Sequence, residues 1–202
     1  RARKLGLGDG NRIIVYDQFN FFASARVWWM LRVMGQRDVK VLDGGLKAWT
    51  DAGGETEDLP PVAVERHFTA RVRSDLLKDS DQMLAASANS SHNIIDSRSA
   101  ERFSGEAPEP REGLPSGHIP GSICLPSGEL RTEDGRMKSA EELGKLFPNP
   151  LAPTIATCGS GVSAAVTALA LARPGNWDVA VYDGSWAEWA SDASRPVATG
   201  TA

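Results

Sequence analysis

Two kinds of side chain in this sequence could do chemistry together: a cysteine heading a glycine-punctuated loop, and arginines able to grip a carboxylate. Cys158 opens CGSGVSA within residues 153–172, PTIATCGSGVSAAVTALALA, where a short β-branched run gives way to a long apolar stretch. That order predicts strand, loop and helix, so Cys158 falls where a strand hands over to a helix. The first turn of a helix carries unpaired N–H groups and about half a positive charge, which favours an anion. A cysteine held there should reach the thiolate more readily than a free one. Gly159 and Gly161 free the backbone to turn successive amides, up to those of Val162 and Ser163, towards one sulfur. The hydroxyls of Ser160 and Ser163 can donate further hydrogen bonds. The competing assignment, an inert core cysteine, suits Cys124 in the apolar run SICLP better than it suits Cys158.

The arginines stand in a polar segment of residues 96–122, too long for a passive connection in a compact domain. Arg102, in ERFSG, and Arg111, in PEPREG, present planar forks that can hold a carboxylate bidentately. Asp96 ends a strand beside them and can organise the loop through backbone amides. His118, in GHIPGS, sits between turn residues and reads as packing; His67 and His92 flank expected strands. Trp28, Trp29, Trp49, Trp177, Trp186 and Trp189 read as packing residues, with Trp186 placed to border the pocket.

The elements that must position these groups follow in order. Residues 12–17, RIIVYD, read as a buried strand, 21–35 as a helix ending at Gly35, and 38–45 as a strand and turn leading into a short helix. Residues 55–75 carry Pro60 and Pro61 with weak periodicity and read as an interdomain linker, with an extended piece at RHFTARV. Beyond it, SDQMLAASANS predicts a helix capped by Ser80, HNIIDSR a strand, and SAEELGKLF a helix with a Ser139/Glu142 capping box. Residues 178–192 close the chain with a strand, a turn and a last helix. Parallel strands joined by helices imply an α/β layer architecture.

The two halves repeat one another. VKVLDGGLKAW lies on VAVYDGSWAEW at an offset of 140 residues (179 − 39), and with one gap IIVYD meets TIATC, so Asp17 takes the place of Cys158. A repeat this long means tandem domains, and the first copy lacks the nucleophile.

CGSGVSA resembles the active-site loop of the rhodanese-like sulfurtransferases, and within them of the 3-mercaptopyruvate branch, whose loop usually reads CGSGVTA. Ser163 in place of Thr keeps the hydroxyl. YDQFNFFASARVWWMLRVMGQ and the VLDGG after it resemble the silent first domain of that family, so the resemblance runs over nearly the whole chain. It implies tandem rhodanese-like domains, each a mainly parallel sheet flanked by helices: the end of an inactive domain at 1–54, a linker at 55–75 and a catalytic domain at 76–202. It implies sulfur transfer from 3-mercaptopyruvate through a Cys158 persulfide to cyanide or a thiol acceptor such as thioredoxin, with Cys158, Ser160 and Ser163 catalytic. Arg102 and Arg111 would bind the donor carboxylate, and Gly159, Gly161 and Val162 would be substrate-binding residues of the loop. No metal or organic cofactor is implied. Thiosulfate is the second donor choice, disfavoured because Gly159 and Ser160 supply no charge for a second anionic oxygen. In the repeat, the counterpart of Ser80 would fall at 80 − 141 = −61, so roughly sixty residues of the first domain are expected upstream of Arg1.

Composition excludes other classes. A net charge of −4, a pI near 5.4 and no basic run give no case for a nucleic-acid partner. No apolar run reaches the length of a membrane span, and two distant cysteines make neither a disulfide framework nor a zinc site. A cytoplasmic location fits, or a mitochondrial one if a targeting segment lies upstream. Cysteine phosphatases and arsenate reductases need an arginine closing the loop, yet six residues after Cys158 stands Ala164. A non-enzymatic rhodanese-type scaffold would be marked by a missing cysteine, and the second copy keeps its own.

Overall fold

Residues 1–18, 20–59 and 62–201 are described by the computed structural model, which divides into two compact units, Arg1–Arg73 and Ser74–Ala202.

In the first unit β1 (Ile13–Val15) and β2 (Val39–Val41) pair in parallel, Ile14 opposite Lys40, and α1 (Phe22–Val33) connects them. α1 ends one residue short of a Gly35 turn at φ 90°, as the sequence leads one to expect, and α2 (Gly45–Asp51) follows β2. β1 is not buried throughout: Ile13 points inward but Ile14 is 52% exposed. Trp49, expected as packing, is about half exposed too. Pro60 and Pro61, which mark the expected linker, lie outside the described residues. The run RHFTARV forms no strand. It is hydrogen-bonded back onto the first unit: Thr69 donates to the Asp9 carboxylate at 2.8 and 2.7 Å, Arg71 N to Met34 O at 2.9 Å and Arg73 N to Val33 O at 2.8 Å. Weak periodicity conceals such a strap because these contacts are hydrogen bonds to backbone carbonyls and to the Asp9 carboxylate, which leave no hydrophobic pattern.

The second unit is a five-stranded, all-parallel sheet in the order β3-β7-β6-β4-β5, made of β3 (Leu77–Lys78), β4 (Asn93–Asp96), β5 (Ser122–Cys124), β6 (Thr154–Thr157) and β7 (Ala180–Tyr182). β6 lies between β4 and β7 and is buried at all four positions, which explains its uninterrupted apolar and threonine composition. α6 (Val162–Ala172) follows it, alanine-rich and buried on nearly every side, as a helix apolar all round must be. α3 (Ser80–Asn89) starts one residue earlier than expected: the cap is Asp79, whose carboxylate accepts from Gln82 N at 2.8 Å while Gln82 Oε1 accepts from Asp79 N. An aspartate caps as well as a serine, and the reciprocal Gln82 decides between them. α5 (Ala140–Leu146) carries the expected Ser139/Glu142 box. The polar segment 96–122 holds a short helix, α4 (Ala100–Ser104), which its composition does not announce, and α7 (Ser185–Trp189) ends the unit. Met83, Ile94, Ile119, Ile155, Tyr182, Trp186 and Trp189 form the core, whereas Trp177 stands about half exposed.

Candidate active site

Ligands of open α/β sheets sit beyond the carboxyl ends of the strands. Two such ends meet here, because β4 and β6 are neighbours with Asp96 paired to Thr157. Ser97 N donates to Thr157 O at 2.9 Å, and the Ser97 and Thr167 hydroxyls bond at 2.8 Å, tying the end of β4 to α6. The Asp96–Arg98 turn and the Cys158 loop therefore start side by side.

Cys158 is buried at the end of β6, four residues before α6 begins. Gly161, the residue before α6, has φ 77°, a left-handed conformation that a side chain would strain. The loop is held from the opposite side by the turn entering α7. Trp186 N donates to Cys158 O at 2.9 Å and Ala187 N to Gly159 O at 3.0 Å. The Ser185 hydroxyl accepts from Cys158 N at 3.2 Å and stands 3.9 Å from Cys158 Sγ. Ser185 itself has φ 53°, costly for a residue with a Cβ, so its hydroxyl is maintained against backbone strain.

The arginine side is a buried charge network. Arg98 bonds both Asp96 oxygens, through Nε at 3.1 and 3.0 Å and Nη2 at 2.7 Å; Nη2 also reaches Gly117 O and Nη1 reaches Glu109 Oε1 at 2.8 Å. Burial alone would lower the pKa of this guanidinium, but Asp96 and Glu109 outweigh it and hold the value above the usual one. Arg98 also lies 4.5 Å over the Trp186 ring, whose Nε1 donates to Pro115 O. Glu109 then grips Arg102, Oε1 from Nε at 3.1 Å and Oε2 from Nη2 at 2.5 Å. Arg102 reaches the cysteine loop: a Cβ added at Gly159 would stand 3.0 Å from its Nη2. The lack of a side chain at Gly159 thus leaves room for the arginine's approach.

The structure brings Cys158, Gly159 and Arg102 together, with Ser160, Gly161, Val162 and Ser163 in the same loop or first helical turn. Ser160 is exposed, Val162 and Ser163 are half-buried, and Arg111 is exposed on the 96–122 segment. His118 is buried, stacked on Phe103 with ring centroids 3.8 Å apart, its Nδ1 2.9 Å from Phe103 O, a packing arrangement. Sequence reasoning missed Ser185, Arg98 and Glu109. Ser185 had a signal, since the repeat sets it against Gly45, a serine where the partner copy has glycine. Cys124 ends β5, half-buried, where desolvation and then the Asp96 charge push its thiol up to about 11. Among the described residues no group of three His, Cys, Asp or Glu side chains could hold a metal ion, and no helix is long and apolar enough to cross a membrane.

A parallel α/β sheet with a cysteine loop at the carboxyl end of its central strand, opposite an arginine, defines a class of nucleophilic-cysteine proteins. The Rhodanese-like domain family matches residues 1–52 and 79–192. Thiosulfate/3-mercaptopyruvate sulfurtransferase 2 of Arabidopsis thaliana is 38% identical over 96% of this chain and 64% of its own, and 3-mercaptopyruvate sulfurtransferase of Escherichia coli K12 is 40% identical over 96% and 70%. The crystal structure of SseA from Escherichia coli, a 3-mercaptopyruvate sulfotransferase, superposes with a TM-score of 0.79 at 37% identity, covering 91% of this chain and 70% of that one. The chain belongs to the rhodanese-like family, with two rhodanese-like domains in tandem. It spans less than two thirds of the Arabidopsis relative's length.

Proposed function

We propose that this protein is a sulfurtransferase that takes sulfur from 3-mercaptopyruvate and carries it as a Cys158 persulfide, with residues 76–202 catalytic and 1–54 inactive. The single observation that carries the reading is the approach of Arg102 to Gly159, a carboxylate-binding group beside a nucleophilic sulfur. The Cys158 thiolate attacks the donor sulfur, an S–S bond forms, and the C–S bond breaks with its electron pair passing to carbon as pyruvate enolate, which takes up a proton. An acceptor thiolate, such as that of thioredoxin, then attacks the outer sulfur and returns Cys158 as thiolate; cyanide would leave as thiocyanate. Amides of the loop and first turn, with the Ser160, Ser163 and Ser185 hydroxyls, stabilise the sulfur-borne charge. Arg102 and Arg111 bind the donor carboxylate. The sulfurtransferase names of the relatives support this chemistry, and two free thiols suit a reducing compartment such as the cytoplasm.

Mass spectrometry of the whole protein after treatment with 3-mercaptopyruvate should find one added sulfur, on the peptide containing Cys158. Thiosulfate, a dianion meeting a loop with no basic residue, should load the same cysteine far less efficiently. Equal loading by both donors would overturn the donor choice, and no added sulfur would overturn the reading itself.

A further inference from the structure

Glu109 belongs to a polar loop, yet its side chain is only 3% exposed, and its two oxygens take three guanidinium bonds. A guanidinium offers a carboxylate two different paired edges, Nε with Nη2 at the side and Nη1 with Nη2 at the end. Glu109 occupies the side edge of Arg102. The end edge faces the cysteine loop, since a Cβ at Gly159 would lie 3.0 Å from Nη2 and 3.9 Å from Nη1. Glu109 cannot swing away freely, because Oε1 is also held by Arg98, and Arg98 is anchored by Asp96 and by Gly117 O.

We propose that Glu109 is a positioning residue for donor recognition: by clamping the side edge of Arg102 it leaves the end edge as the face that meets the donor's carboxylate over Gly159. The inference rests on the functional reading above. Arg102 alone is a long side chain, 26% exposed, that would sample many rotamers and offer either edge. With Glu109 in place, that ordering cost is met before the donor arrives, which lowers KM more than it raises kcat. The carboxylate also cancels one positive charge near the loop, so Arg102 recognises by geometry more than by net charge.

The test is steady-state kinetics of the whole protein with 3-mercaptopyruvate and cyanide, for wild type, Glu109→Gln, Arg102→Lys and the double variant. Glu109→Gln should raise KM about tenfold and change kcat by less than about threefold. In the Arg102→Lys background, where no forked edge remains, adding Glu109→Gln should raise KM no further. Should Glu109→Gln fail to fold because Arg98 loses a partner, Glu109→Asp keeps the charge but shortens the reach, and carries the same comparison. An unchanged KM, or the same multiplication of KM in both backgrounds, would overturn the proposal and leave the function intact. A wild type that releases no pyruvate from 3-mercaptopyruvate would overturn the function instead.

Discussion

The two units build the same turn and fill it differently. Ile14 pairs with Lys40 in the first unit, and Ile155 with Ala180 in the second, so the strand registers reproduce the repeat with its one-residue gap. Leu46 N donates to Asp17 O at 3.0 Å as Trp186 N donates to Cys158 O at 2.9 Å, and Gly45 and Ser185 share a left-handed backbone, φ 60° and 53°. At the head of α1 the Asp17 carboxylate accepts from the amides of Phe21 at 3.2 Å, Ala23 at 2.9 Å and Ser24 at 2.7 Å. An internal anion thus satisfies the donors that the second unit has available around a sulfur. The first unit's turn is an anion cradle filled by its own carboxylate, and on the proposed function the second unit's matching turn serves a sulfur instead. Burial differs in parallel: Ile14 is 52% exposed and its counterpart Ile155 not at all.

The sharpest way to break this comparison is at the two head residues. Cys158→Ser should lower sulfur transfer at least about a thousandfold, since an alcohol is neither a thiolate nor a persulfide carrier, while Cys124→Ser retains most activity. Turnover by Cys158→Ser would end the assignment. Asp17→Asn removes the charge and one acceptor oxygen from three amide bonds, at a cost of about 1.5–3 kcal/mol. Hydrogen exchange should then quicken in α1 and stay unchanged in α6; equal effects in both helices would show that Asp17 does not serve as its own unit's anion.

Converting one turn into the other gives a smaller effect. Ser185→Gly copies Gly45 and relieves a left-handed strain of about 1 kcal/mol, which offsets about half of what the two lost hydroxyl bonds, from Cys158 N at 3.2 Å and to Tyr182 O at 2.9 Å, contribute. The melting temperature should fall by only about 2–6 °C while persulfide formation slows roughly tenfold, well short of losing a full oxyanion donor because the hydroxyl stands 3.9 Å from the sulfur and also donates to Tyr182 O. A rate equal to wild type would remove Ser185 from the chemistry. The smallest effect concerns Cys124. A thiol pushed up to about 11 is protonated at neutral pH, so its alkylation by iodoacetamide should be negligible at pH 7 and should rise as pH approaches 11. Rapid labelling of Cys124 at pH 7, followed by peptide mass mapping, would contradict this.

By itself the sequence determined whatever local order carries. A β-branched run, a glycine loop and an alanine-rich stretch specify strand, turn and helix around Cys158, because each choice is made within a few residues of chain. The internal repeat likewise identified Asp17 as the counterpart of Cys158, and the arginine-bearing segment was visible from its length and polarity. Only the tertiary structure decided which partners the arginines keep. Glu109 lies seven residues from Arg102 and eleven from Arg98, in a segment with no periodicity, and nothing local says that its carboxylate is buried between them. Ser185 meets Cys158 across 27 residues, and Arg102 reaches Gly159 from a different strand end, because β4, β6 and β7 are adjacent in the sheet. Adjacency of parallel strands is set by packing helices over the sheet, a non-local balance of burial against chain entropy. For that reason the cysteine loop was legible in the chain, whereas the geometry that brings an arginine to it was not.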